Sequence, residues 1–139
     1  MRDQSATPPN GWRLASYLLL AVWVGAAVLG VNGIRAGAFT SYGADLTQPA
    51  WLYIIVRGLD NPARKSWITR TFGTRAETTA LLIFFVGACT ELSQRYWPHG
   101  IFRGRFDPWD IVAFGLGILI CYLCEKRFPP RAKKLEVAA

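Results

Sequence analysis

The segment Leu14 to Ile34 reads LASYLLLAVWVGAAVLGVNGI, 21 residues without a charge. At 1.5 Å per residue such a helix runs about 31 Å, which matches a hydrocarbon core of roughly 30 Å. It is long enough to span a bilayer. A cleaved signal peptide would have a shorter apolar core and a small-residue cleavage site ahead of a soluble domain. More apolar blocks follow here, so the segment is expected to be a retained helix.

The rest of the chain repeats this layout. Of its 139 residues 52% are hydrophobic and 18% charged, and the charges lie between apolar blocks. That is the pattern of a small polytopic membrane protein folded as one domain, residues 1–139. A block from Ala76 to Trp97 carries no charge between Glu77 and Glu91, and WDIVAFGLGILICYLC from Trp109 to Cys124 crosses if Asp110 sits at the headgroup level. The block SYGADLTQPAWLYIIVRGL is weaker. Its clean apolar run extends only from Pro49 to Val56, between Asp45 and Arg57, and so short a run also fits a re-entrant or interfacial segment. The expected fold is all-α: a transmembrane bundle of about four helices near 14–34, 44–59, 76–97 and 109–125, followed by a basic tail, 126–139.

Charge sets the expected orientation. With four spans both termini share a side, and that side holds Arg2, Arg13, Arg57, Arg64, Lys65, Arg70, Arg75, Lys126, Arg127, Arg131, Lys133 and Lys134. The other side holds only Arg35, Arg95, Arg103 and Arg105. Because cytoplasmic loops carry the excess of Lys and Arg, both termini are expected in the cytoplasm. The same asymmetry accounts for the net charge of +7 without nucleic acid, since no helix-turn-helix, RNA-binding sheet or zinc-finger spacing accompanies it. Membrane lipid is the expected partner, and a basic tail is drawn to its anionic head groups. Trp12 and Trp67 fall near the inner boundary and Trp97 and Trp109 near the outer, where amphipathic rings anchor. Trp51 has no obvious interfacial place.

Gly25, Gly30, Gly33, Gly87, Gly115 and Gly117 are expected to let helix backbones approach closely. Cys89, Cys121 and Cys124 fall inside predicted helices. The C-x-x-C spacing of the last two has no second pair or neighbouring histidine, so all three are expected to be small buried hydrophobes. His99 stands alone in a loop, and no other metal-ligand spacing or cofactor motif is present. Neither is H-E-x-x-H, G-x-S-x-G or a P-loop. An enzyme therefore ranks below a binding or accessory protein.

What remains is ELSQRYWPHGIFRGRFDPWDIVAFGLG, Glu91 to Gly117. Polar groups this dense at a membrane boundary are costly unless they pair or serve a ligand. Glu91 and Gln94 share a helical face, as do Asp107 and Asp110. A short loop makes their helices antiparallel neighbours, so the two faces can meet with Arg103 and Arg105 between them. Arg35 and Asp45 lie on the same side. Two uses are open: carboxylates binding a hard cation that bridges to phosphate, or arginines clamping an anion. A structural role stands beside them, with Asp107 and Asp110 serving the helix N-terminus and an arginine pairing with Glu91.

The pattern E-x-x-Q, then R-G-R-F-D-x-x-D-x-x-A-x-x-x-G, resembles the VanZ-like family of small bacterial membrane proteins and a neighbouring uncharacterised family of four-helix proteins. Glu91, Gln94, Arg103, Gly104, Asp107, Asp110, Ala113 and Gly117 carry it, over roughly the last third of the chain. The chain departs at Phe114, where the family usually has Asn. The resemblance implies a bacterial inner-membrane protein, of a kind linked in some members to low-level teicoplanin resistance, with no established reaction. Two functional expectations follow. One is recognition of a lipid or cell-envelope head group through Glu91, Gln94, Arg103, Arg105, Asp107 and Asp110. The other is an accessory subunit that uses the same hairpin to stabilise a larger membrane complex.

Overall fold

A computed structural model of the chain describes residues 11–34, 37–61, 66–97, 99 and 106–129. They form α1 (Gly11–Val31), α2 (Ala38–Arg57), a short α3 (Trp67–Phe72), α4 (Ala76–Tyr96) and α5 (Pro108–Arg127), with no strand among the described residues. Helices α1, α4 and α5 are long and apolar enough to cross a membrane. Leu14, Leu18, Val22, Phe85, Leu119 and Leu123 are exposed along them. Apolar surface of this extent belongs to a helix facing lipid.

The helix ends follow local chemistry. Beyond α1, Gly33 adopts φ 71°, the Gly33 N–H reaches the Gly30 carbonyl and the Ile34 N–H reaches that of Leu29. This pair of bonds is a Schellman motif, which needs a residue that tolerates left-handed backbone. It stops α1 three residues short of the expected Ile34. Gly58 ends α2 in the same way, with φ 66°.

Helix α2 is the element that composition described least well. It is one continuous 20-residue helix, beginning at Ala38 rather than near 44. It packs against α1, α4 and α5, and Pro49, Tyr53 and Ile54 within it are fully buried. A helix shielded by protein has no need of lipid-facing apolar residues, which is why its sequence is more polar than its neighbours'. Trp51 finds its place here, stacked on Trp23 of α1 with ring centroids 5.9 Å apart.

Contacts between the helix ends show an antiparallel arrangement. Trp12 Nε1 donates to the Phe128 carbonyl and Arg13 Nε to the Asp60 carbonyl, while Lys126 meets Glu77. The start of α1 and α4 and the finish of α2 and α5 therefore share one end, rich in basic residues. Asp45, Glu91, Asp107 and Asp110 gather at the other.

The glycines divide sharply. A Cβ on Gly117 would lie 2.1 Å from the Leu46 carbonyl oxygen of α2, and one on Gly87 would lie 2.5 Å from the Phe114 ring. Gly115 has only ordinary contact with Phe84. Gly25, Gly30 and Gly33 have nothing within 4 Å, which corrects the expectation that they bring helices together. Helix α1 meets α2 through Ala26 instead, and those glycines point away from the seam. The cysteines need a similar correction. Cys121 is buried, but Cys124 is half-buried and Cys89 exposed, because the last lies on the outward face of α4.

Candidate functional site

At the acidic end, three helices bring carboxylates together. Glu91 comes from the last turns of α4, Asp107 and Asp110 from the start of α5, and Asp45 from the first half of α2. Pro49, four residues after Asp45, has no N–H to give the Asp45 carbonyl, so the backbone there is polar as well.

Asp107 is the N-cap of α5. Its backbone is extended, its carboxylate accepts from the Trp109 N–H at 2.9 Å, and Pro108 opens the helix. Proline suits that position because its missing N–H would have had no helical partner. Replacement by Asn or Ser is expected to leave stability nearly unchanged, since either caps as well. Asp107→Ala should cost about 1 kcal/mol. Thermal unfolding of the three variants in detergent checks the order; equal loss in all three would mean that the carboxylate's charge matters more than its capping.

Glu91 is the most confined of the four, with 7% of its surface exposed. Its Oε1 accepts from Gln94 Nε2 at 3.2 Å, so the expected face pairing is present. Its Oε2 is buried and makes no hydrogen bond of normal geometry among the described residues, while the Asp107 backbone N–H lies close enough to act on the carboxylate. Asp45 and Asp107 lie within electrostatic range of it, and Asp110 in turn feels Asp45, Glu91 and Asp107. Among the described residues no Lys or Arg forms an ion pair with any of the four. Arg95, the nearest cation in sequence, instead lies over the Phe106 ring at 5.6 Å. Arg35, Arg103 and Arg105 fall outside the described residues. So does Gly104 of the family-like pattern, and with the two loop arginines goes the expected Glu91–Arg pair.

The carboxylates are near one another but not tightly convergent. Among the described residues no three His, Cys, Asp or Glu side chains are placed to hold a metal ion. His99 is exposed. Phe114 is buried with 8% exposure and fills the space that Gly87 leaves open, so it belongs to the α4–α5 packing.

A second polar cluster, at the basic end, went unread in the sequence. Arg57 Nε donates to Glu125 Oε2 at 3.0 Å, a second guanidinium nitrogen pairs with Oε1, and Tyr53 Oη donates to Oε2 at 2.6 Å. The remaining guanidinium nitrogen donates to the Gly73 carbonyl. Both charged side chains are only 6% exposed. One signal was available. Glu125 occupies the last turn of α5, where an anion opposes the helix dipole, so it needed a cationic partner from elsewhere. Its partner is 68 positions away in the chain.

No protein-family model matches this chain, and no curated protein or solved structure matches it.

Proposed function

We propose that this is a VanZ-like protein of the bacterial inner membrane, with four spans and cytoplasmic termini, whose outer-side polar hairpin recognises a lipid or cell-envelope head group. The observation that carries the reading is the buried oxygen of Glu91, without a hydrogen bond of normal geometry, amid carboxylates with no described cation. An unsatisfied buried acceptor costs about 1–3 kcal/mol, more when charged, and a cost of that kind is retained where a ligand meets it. Crossing by α2 is supported by its length, about 30 Å for 20 residues, and by the neighbours that shield Asp45 and Gln48 from lipid. Arg103 and Arg105, in the segment joining α4 to α5, would supply the anion-binding half of the site.

The discriminating pair is Asp107→Asn against Asp110→Asn. The first keeps its cap and is expected to keep binding. The second keeps shape but loses the anion, and is expected to fold and fail to bind lipid or partner. Wild-type behaviour of Asp110→Asn would make the hairpin purely structural.

Orientation is tested separately. Reporter fusions after Pro98 and after Ala139 are expected on opposite sides of the membrane. The same side for both would remove α5 as a span and with it the four-span topology.

The accessory-subunit reading draws on α1. That helix packs on α2 alone among the helices and leaves Gly25 and Gly30 open, a surface that another transmembrane helix could approach closely. Purification in mild detergent separates the two: a stoichiometric complex supports the subunit, and a small monodisperse oligomer carrying lipid supports head-group recognition.

A further inference from the structure

At the same end of the bundle as the carboxylates lies an apolar groove of about 680 Å³ between α2 and α5. Leu46 and Leu116 line its inner end, Tyr42 and Val112 its middle, and Phe39 and Trp109 its outer end. Its origin is the close crossing at Gly117, from which the two helices lead outward to Ala38 and Trp109. Val112 and Leu116 are about half exposed, so the groove opens sideways toward the membrane interior. Its volume falls within the roughly 300–1,000 Å³ of ordinary ligand sites. Asp45 adjoins Leu46 and Asp110 follows Trp109 in sequence, so the acidic cluster and the groove lie at the same end of the bundle.

We propose that this end of the protein binds an amine-bearing phospholipid, its primary ammonium against Glu91 and Asp110 and one acyl chain in the α2–α5 groove. The proposal rests on the head-group reading above and adds the chemical class. Several carboxylates that no Lys or Arg pairs with among the described residues favour a cation. A divalent ion needs six or more oxygens within 2.6 Å or so, a convergence that the described side chains do not make. A sugar hydroxyl leaves the buried charge uncompensated. A quaternary ammonium has charge but no N–H for Glu91 Oε2. A primary ammonium has charge and three donors, enough to reach carboxylates that are spread rather than clustered. The apolar groove selects a lipid over a soluble amine.

The test is native mass spectrometry of the full chain in mild detergent, titrated with phosphatidylethanolamine, phosphatidylcholine and phosphatidylglycerol of identical acyl chains. Phosphatidylethanolamine is expected to bind about tenfold tighter than either of the others, as befits one charge-assisted hydrogen-bonded contact. Glu91→Gln and Asp110→Asn should each reduce it to the phosphatidylcholine level with the thermal midpoint retained. Asp110, partly exposed, carries the test should Glu91→Gln fail to fold. Leu116→Trp, which fills the groove, should weaken all three lipids together and leave the preference intact. Preference for phosphatidylglycerol would overturn the amine while leaving head-group recognition standing. Equal binding of all lipids, unchanged in every variant, would overturn both.

Discussion

Glu125→Leu is expected to lower the stability of the purified protein by about 3–5 kcal/mol, the usual consequence of leaving one member of a buried ion pair without its partner. The Arg57 guanidinium loses its two contacts with the Glu125 carboxylate and has only the Gly73 carbonyl left. Tyr53, fully buried, loses the acceptor of its hydroxyl. The reverse experiment sharpens the reading. Replacing the group together, as Tyr53→Phe, Arg57→Met and Glu125→Leu, removes both charges of the pair and the Tyr53 hydroxyl at once and is expected to be far milder, because well-packed apolar residues often substitute for a buried ion pair at little loss. Glu77→Gln serves as the control. The Glu77–Lys126 pair is half exposed on both sides, and such pairs contribute little. Denaturation in detergent measures all three. A triple variant as unstable as the single one would mean that the network's hydrogen bonds, not its charge balance, hold α2 to α5.

What the sequence disclosed and what it concealed separate along one line: a residue's cost in lipid is local, whereas its partner in the fold is not. Leu14 to Ile34 is apolar almost throughout because α1 leans on one neighbour and faces lipid with the rest, so its span was plain. Helix α2 looked doubtful for the converse reason, since three neighbours shield it and relieve it of apolar demand. Glu91, Gln94, Asp107 and Asp110 were found as a group because they are close in sequence and flank one short loop. The capping role of Asp107 is likewise local, set by its own carboxylate and by the Pro108 that follows it. The groove beside them required knowing where α2 crosses α5, and the Arg57–Glu125 pair required contacts 68 residues apart. Glycine was ambiguous for the same reason. Gly30 and Gly117 look alike in a hydrophobic run, but only the second has a backbone pressed against it.

That difference predicts the second large effect. Gly117→Ala is expected to destabilise the protein by about 3 kcal/mol, the upper part of the range for overpacking a well-filled interior. The added methyl would lie 2.1 Å from the Leu46 carbonyl oxygen, and backbone cannot rotate aside as a side chain can. Relief requires α5 and α2 to separate along the seam that also closes the inner end of the groove, so lipid binding should fall with stability. Gly87→Ala meets Phe114 at 2.5 Å, but the obstacle is a ring with its own rotamers, and the loss should be smaller. Gly25→Ala meets nothing within 4 Å and exchanges a poor helix former for the best one, a change worth up to about 1 kcal/mol in favour of the helix. The order Gly117, Gly87, Gly25 in thermal unfolding is therefore the expected result. A Gly117→Ala protein as stable as Gly25→Ala would mean that α2 and α5 do not touch at Leu46, and both the crossing and the groove that opens from it would have to be abandoned.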